Sequence, residues 1–179
     1  HYLFVVHRED KNDVVAQIAA REGKTIFFVR TQLGADRISG DIAKQGVPVS
    51  SLHGGKKQGM RTRTINMFRE GVTNALVATD VAARGIHVDD VSLVVHVDPP
   101  ETHKDYLHRA GRTARAGAKG TVVSLASSGN RKRVHNLGKE AGVKMTETRI
   151  ESRDKNLHPE LMRITGAVEP SGIPVTEEV

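Results

Sequence analysis

The chain has 179 residues, no cysteine and a net charge of +6, from 27 lysines and arginines against 21 aspartates and glutamates. This length fits one domain with a full core, and the charge favours a polyanionic partner. The lack of cysteine excludes a disulfide framework and a cysteine-based zinc site. No apolar run approaches the length of a membrane span, and no signal peptide is recognisable. We expect a cytoplasmic, monomeric protein with no membrane partner.

The start of the chain predicts a piece of a longer protein, because an apolar segment begins almost at once after His1. Only 3% of the residues are aromatic. Proteins that hold single strands by base stacking need exposed aromatic side chains. If the chain binds nucleic acid, we therefore expect it to contact the backbone rather than the bases.

Short apolar, β-branched runs alternate along the chain with longer helical patterns. This alternation predicts an α/β fold, a three-layer sandwich with a mostly parallel central sheet and helices on both faces. Residues 1–148 are predicted to form this domain, and residues 149–179 an irregular or partly disordered C-terminal extension. The predicted elements are strands at 3–6, 25–30, 47–52, 75–79, 92–97 and 120–125, and helices at 11–21, 33–45, 57–70, 102–112 and 130–141.

Polar and glycine-rich segments follow several predicted strands. Ligands in open α/β sheets bind beyond the carboxyl ends of the strands, so these segments should converge on one edge. As isolated features, several have a simpler interpretation: Thr79 and Asp80 can end a strand and cap a helix, and Gly85 can serve turn geometry alone. The segments are Arg30-Thr31-Gln32, His53-Gly54-Gly55 with Gln58-x-x-Arg61, Thr79-Asp80, and Arg84-Gly85-Ile86-His87.

The densest cationic segment runs from His108 to Gly117 and contains a histidine and three arginines within eight residues. If the helix continues through it, Leu107, Ala110 and Ala114 are spaced to face inward. His108, Arg112 and Arg115 are then spaced to project together from the other side. Arginines in a fixed array suit bidentate recognition of phosphate oxygens, the chemistry of phosphoryl transfer. A solvated basic helix is the alternative interpretation.

Four of these segments resemble helicase motifs IV, IVa, V and VI, in that order. They are 25–31, His53-Gly54-Gly55 with Gln58-x-x-Arg61, the run from Val77 to Ile86, and His108-Arg109-x-Gly111-Arg112-x-x-Arg115. Over roughly residues 1–145, the chain resembles the second RecA-like domain of a bacterial DEAD-box RNA helicase. The His-Arg start of the last motif argues against a DNA-directed motor of the same superfamily.

The resemblance implies a role for each matching residue. Arg112 and Arg115 would be catalytic arginines that reach the γ-phosphate of ATP held on a first RecA-like domain. Gly85 and His87 would lie near the nucleotide, and no metal-binding residue is expected in this chain. The implied interdomain residues are Arg84, His108 and Arg109, and the implied RNA-binding residues are Thr31, Gly54, Gln58, Arg61, Thr79 and Asp80. The implied partners are RNA, bound through its backbone, and the N-terminal RecA-like domain of the same protein.

One position departs from the family pattern. The family usually has an aspartate after the Arg-Gly-Ile segment, near the ribose of the nucleotide, where this chain has His87. A neutral imidazole can hydrogen-bond a ribose hydroxyl but cannot supply the acceptor pair of a carboxylate.

The chain contains no Gly-x-x-x-x-Gly-Lys-[Ser/Thr] loop, no Asp-Glu-Ala-Asp and no Ser-Ala-Thr segment. In the family, these parts hold ATP and Mg²⁺ on the first domain, so we expect the chain by itself to be catalytically silent. The alternatives to an RNA helicase domain are a DNA helicase domain of superfamily two and a non-catalytic RNA-binding module.

Overall fold

The computed structural model describes residues 1–114, 119–151 and 157–175. Its strands are β1 (Tyr2–Val6), β2 (Lys24–Val29), β3 (Val49–Leu52), β4 (Ala75–Thr79), β5 (Val91–His96), β6 (Thr121–Ala126) and β7 (Thr146–Ile150). They form one sheet in the order β3-β4-β2-β5-β6-β1-β7, in which every neighbouring pair is parallel. The predicted parallel sheet is confirmed.

The helices alternate with the strands. They are α1 (Lys11–Ala19), α2 (Gln32–Lys44), α3 (Gln58–Glu70), α4 (Asp80–Ala83), α5 (His103–Ala110), α6 (Arg131–Glu140) and α7 (Pro159–Thr165), with a short 3-10 helix at Arg8–Asp10. All eleven predicted elements are present, with ends within two residues of the predicted ones. Among the described residues, no helix combines the length and the apolar character that crossing a lipid bilayer requires.

Two cores lie on opposite faces of the sheet, because side chains of a strand alternate between faces. From β2, Phe27 and Val29 pack in the core that includes residues of α1, α2 and α7. Its neighbours Ile26 and Phe28 pack in the core that includes residues of α3, α4 and α5. Every residue of β2 and β4 is buried. This explains why these strands appear in the sequence as nearly continuous apolar runs rather than alternating ones.

The C-terminal segment differs from the predicted irregular extension. The predicted boundary at residue 148 lies within β7, and α7 follows with Leu161 fully buried in the core. Beyond α7, Val168 N–H donates to the Gln17 carbonyl (3.1 Å) and Gly172 N–H to the Gln45 carbonyl (2.9 Å). We refer to residues 157–175 as the docked tail. The sequence pattern missed it because β7 buries a single residue and α7 has only seven residues.

Candidate functional site

The strand order brings together loops that are far apart in sequence. Strands β3, β4, β2 and β5 are consecutive in the sheet, so the loops at their carboxyl ends form one continuous edge. Hydrogen bonds join these loops: the Arg30 N–H at the end of β2 donates to Asp98 Oδ2 after β5 (2.8 Å). The predicted convergence of the segments that follow β2, β3 and β4 is therefore present.

A cavity of about 300 Å³ opens at this edge, beyond β2 and β4. Three arginines and a histidine contribute to its walls, which gives it the donor chemistry of a phosphate site. Its lining residues are Phe28, Asp80, Ala83, Arg84, Gly85, Asp105, His108, Arg109 and Arg112. Six of the predicted site residues are thus brought together, whereas His87 and the other predicted RNA-binding residues do not line the cavity.

The floor of the cavity contains a bidentate ion pair between α5 and α4. Arg109 Nε donates to Asp80 Oδ1 (2.6 Å), and Arg109 Nη2 donates to Asp80 Oδ2 (2.7 Å). The Arg109 side chain is 2% exposed and that of Asp80 is 38% exposed. Asp80 is the first residue of α4, where a negative charge is also favoured by the helix dipole.

The rest of the Arg109 guanidinium is directed into this domain. Its Nη1 donates to the Asp98 carbonyl (2.8 Å) and lies 3.2 Å from His96 Nδ1, and the guanidinium stacks 5.2 Å from the centre of the Phe28 ring. The resemblance implied an interdomain contact for Arg109. In this structure its contacts are internal, and they hold Asp80 in place.

The helix that carries the cationic segment is shorter than predicted. It begins after Thr102, whose Oγ1 accepts from the Asp105 N–H (3.1 Å), so Thr102 is the N-cap of this helix. It ends at Ala110, and Ala114 has a φ of 57°. Tyr106 and Arg109 are buried and Ala110 packs against the same core, whereas Leu107 is 43% exposed. The predicted inward position is therefore confirmed for Ala110 and wrong for Leu107, and the helix ends before Ala114. The ion pair with Asp80 allows Arg109 to occupy an inward position.

Arg112 follows α5 and lines the cavity from a partly buried position. Its Nη1 donates to the Ile86 carbonyl in the loop after α4 (2.9 Å), which links the cationic segment to the motif V loop. His108 is exposed on the last turn of α5, beside the same cavity. Arg115, the second predicted catalytic arginine, lies outside the described residues.

The loop after α4 contains the two predicted nucleotide-binding residues Gly85 and His87. Gly85 has a φ of 78°, and a Cβ built there would meet nothing within 4 Å. The backbone conformation, rather than space, therefore requires glycine at this position. His87 is exposed, and its carbonyl accepts from Arg69 Nη2 (3.2 Å), which ties the loop to α3.

The predicted RNA-binding residues lie along the edge beyond β2, β3 and β4. Thr31 caps α2, with its Oγ1 accepting from the Gly34 N–H (2.9 Å), which leaves the hydroxyl proton for another acceptor. Gly54 is exposed in the loop after β3. Thr79 precedes α4, but its side chain makes no capping hydrogen bond, so the simpler interpretation of Thr79 as a cap does not apply.

Gln58 and Arg61 lie on the first turn of α3. Gln58 is exposed, and its carbonyl accepts from Thr62 Oγ1. Arg61 Nη2 donates to the Arg84 carbonyl (3.3 Å), so α3 is joined to the same loop that lines the cavity. The predicted RNA edge and the cavity are therefore adjacent parts of one surface.

His53 has a defined position in the loop after β3. Its Nδ1 accepts from the Gly55 N–H (3.1 Å), and its Nε2 lies 3.0 Å from Asp36 Oδ1 on α2. His53 thereby holds the loop that carries Gly54. His96 and Asp98 were missed by sequence reasoning. Only their spatial approach to Arg109 identifies them, and no local pattern encodes it.

A metal site would need several histidine, aspartate or glutamate side chains grouped around one point. Within residues 1–114, 119–151 and 157–175, no three histidines, aspartates or glutamates are grouped as a metal ion requires. The cationic cavity is instead suited to an anion.

The chain was compared with known families and proteins. Residues 10–117 match the family model described as the helicase conserved C-terminal domain. The chain is 37% identical over 147 residues to the mouse protein named "Probable ATP-dependent RNA helicase DDX17", covering 82% of the chain and 21% of the relative. It is 42% identical over 119 residues to "ATP-dependent RNA helicase DBP2" of Ajellomyces capsulatus, covering 66% and 22%. The chain thus spans about a fifth of these relatives.

Two solved structures extend the likeness to the fold. The structure of S. cerevisiae Dbp5 bound to RNA and ADP BeF3 superposes with a TM-score of 0.75 at 34% identity, covering 83% of this chain and 41% of that one. E. coli DEAD-box protein SrmB, bound to regulator of ribonuclease activity A, superposes with a TM-score of 0.76 at 31% identity, covering 98% and 96%. The RecA-like fold expected from the sequence is therefore confirmed.

Proposed function

Because the chain belongs to the helicase conserved C-terminal domain family, in the form found in DEAD-box RNA helicases, we propose that its whole protein is an ATP-dependent RNA helicase. This domain would act on ATP held by an N-terminal RecA-like domain. The observation that carries the proposal is the cavity at the carboxyl edge, where Arg84, His108 and Arg112 surround an opening adjacent to the predicted RNA surface.

Arg112 is the residue that we propose to act on the γ-phosphate. Phosphoryl transfer develops charge on the transferred group, and a guanidinium fixed in advance stabilises that charge without reorganisation. The hydrogen bond to the Ile86 carbonyl supplies this fixation, and the cavity supplies access. Arg115 is proposed as its partner on the resemblance alone. ATP supplies the free energy of phosphoanhydride cleavage, and its Mg²⁺ would be held mainly by the first domain.

RNA is proposed to bind through its backbone, largely independently of sequence. All four phenylalanines and Tyr106 are buried, so these side chains are not available for base stacking. Hydroxyl, amide, guanidinium and backbone N–H groups line the edge instead, and these are the groups that contact phosphates. The residues proposed for this contact are Thr31, Gly54, Gln58, Arg61, Thr79 and Asp80, with Asp80 acting by fixing the start of α4.

The proposed mechanism is a clamp. ATP and single-stranded RNA together draw the two domains closed, with His108 and Arg84 at the interdomain face, and the closed state separates a short duplex. Nucleotide contacts by Gly85 and His87 belong to this proposal. A monomeric cytoplasmic protein of bacterial source is also proposed, on the resemblance of the sequence motifs alone.

The proposal is tested with two samples, this chain alone and the protein that also carries its N-terminal domain. We expect no ATP hydrolysis above background from the chain, and RNA-stimulated hydrolysis from the longer protein. RNA and DNA of equal length separate the two motor classes. Stronger stimulation by DNA would support a DNA helicase, and RNA binding without hydrolysis by the longer protein would support a binding module.

A further inference from the structure

His96 is a buried histidine that the proposed function does not use. It is the last residue of β5, has no exposed surface, and lies directly behind Arg109. Its ring is nearly parallel to that of Tyr106, with centroids 4.7 Å apart and an interplanar angle of 7°. The Phe28 ring lies on the same side of the sheet, 6.4 Å away. These contacts fix the position and the plane of the imidazole.

The chemistry of its neighbour determines the protonation of His96. Burial, and then the charge of Arg109, lower the pKa of His96 well below its ordinary value, so the ring is neutral. A guanidinium only donates hydrogen bonds, so His96 Nδ1 is the acceptor from Arg109 Nη1 and the ring proton is on Nε2. Among the described residues, His96 Nε2 has no hydrogen-bond partner. The hydrogen bond from Arg109 to Nδ1 is therefore the side-chain hydrogen bond that the described residues provide for His96.

This contact restrains Arg109 from the side opposite its ion pair. The Nε and Nη2 groups face Asp80, while Nη1 is held by His96 and by the Asp98 carbonyl. A planar guanidinium with acceptors on two of its sides cannot rotate without losing hydrogen bonds. Asp80 and Ala83, the first and last residues of α4, line the cavity, so the orientation of Arg109 affects the shape of the cavity wall.

We propose that His96 is a positioning residue, whose neutral imidazole fixes the plane of Arg109 and thereby places Asp80 and the start of α4 against the nucleotide cavity. The proposal rests on the proposed function, because it concerns the closing of that cavity on ATP. Loss of the acceptor should impair hydrolysis rather than ATP binding, since most ATP contacts are proposed to be on the other domain.

The test uses the two-domain protein with His96→Leu, which removes the acceptor, and His96→Asn, whose amide oxygen replaces Nδ1. Ser124→Ala is the matched control: Ser124 pairs in register with His96 on β6, is similarly buried, and its hydroxyl interacts with Tyr106 rather than with Arg109. The measured quantities are RNA-stimulated kcat per nucleotide-binding site, which corrects for any unfolded fraction, and the KM for ATP.

We expect His96→Leu to lower kcat about tenfold, consistent with one lost hydrogen bond to a charged group, with KM changed less than about twofold. His96→Asn should restore kcat to within about threefold of wild type, and Ser124→Ala should leave it unchanged. In an Arg109→Met background, His96→Leu should cause no additional loss. Full kcat in His96→Leu, or an equal loss in His96→Asn, would overturn this inference alone. A wild-type protein without RNA-stimulated hydrolysis would overturn the proposed function and this inference with it.

Discussion

The two edges of the sheet hold similar cations in opposite ways. At the amino edge, Lys24 Nζ is bound by both Asp90 oxygens (2.9 and 2.7 Å) and by the Arg69 carbonyl (2.7 Å). Arg21 there donates to the Thr165 carbonyl of the docked tail (2.6 Å) and to Ser92 Oγ (3.0 Å). At the carboxyl edge, Arg84 and Arg112 face a cavity.

This difference separates cations that are bound within the domain from cations that line the cavity. The amino edge uses its cations to join strands, α3 and the tail, so they are satisfied within the domain. The carboxyl edge uses Arg109 in the same structural way, whereas Arg84 and Arg112 line a space large enough for a phosphate group. A count of arginines does not distinguish these positions, but their burial does: Arg109 is buried, Arg112 is partly buried and Arg84 is exposed.

The largest expected effect concerns Arg112. Replacing it by methionine in the two-domain protein should lower RNA-stimulated kcat by about 10³-fold or more, because the developing phosphoryl charge loses its guanidinium. The matched control is Arg163→Met, which changes an exposed arginine of the docked tail that is paired with Glu160. Steady-state ATP hydrolysis measures both. A similar loss of kcat in Arg163→Met would show that the cavity arginine is not special for hydrolysis.

Substituting the two partners of the Arg109–Asp80 ion pair should change the free energy of unfolding by different amounts. Asp80→Asn leaves the buried Arg109 without its anion and should lower the free energy of unfolding by about 3 kcal/mol. Arg109→Met leaves the half-exposed Asp80 to be hydrated and should cost less, about 1–2 kcal/mol. Urea denaturation of this chain measures both variants. An equal or reversed order would show that the ion pair does not act as described.

The docked tail is tested at Gly46, which has a φ of 101°. A Cβ there would clash with Ser171 Oγ and would lie 2.9 Å from the Gly172 N and Ile173 O atoms. Gly142 has a φ of 73° and open space around its Cβ, so Gly142→Ala reports backbone strain alone, about 1 kcal/mol. Gly46→Ala should cost about 1–2 kcal/mol more and should accelerate hydrogen exchange of the Gly172 amide. Equal behaviour of the two variants would mean that the tail is not held there.

The smallest expected effect is at the RNA edge. Arg61→Met should weaken RNA binding of the two-domain protein several-fold and reduce the salt slope of log K by about 0.7, the value for one phosphate contact to a single strand. Arg63→Met, an exposed arginine on the same helix, should change neither quantity. Fluorescence anisotropy over a salt series measures both. Identical slopes for the two variants would place the RNA elsewhere.

Much of the fold could be predicted from the sequence, because buried parallel strands are apolar and the helices between them are amphipathic. The edge strand β7 and the docked tail could not. In β7 only Ile150 is buried, and the tail combines a few buried side chains, such as Leu161 and Ala167, with backbone hydrogen bonds that any sequence can make. The stability of β7 and the docked tail depends on packing against the sheet and helices that the rest of the chain forms.

The candidate site shows the same division. Motif spacing placed Arg84, His108 and Arg112 together, and the cavity contains all three. Spacing could not identify Arg109 as the buried arginine, because a helical pattern assigns an arginine to the exposed face. Its burial follows from three acceptors supplied by other elements, Asp80, His96 and Asp98. Local sequence does not specify such long-range acceptors.

The position of β1 has a consequence for how the protein is made. It is the first strand that the structure describes, yet its partners are β6 and β7, so Tyr2–Val6 must wait for residues 121–150. At a synthesis rate of 5–20 residues per second, that delay is roughly 6–29 seconds on the ribosome. During this time an apolar strand has no native neighbour, whereas β2 can pair with β4 after about 50 further residues. The nascent domain should therefore assemble first around β2 and β4 and add β1 late, together with β6 and β7.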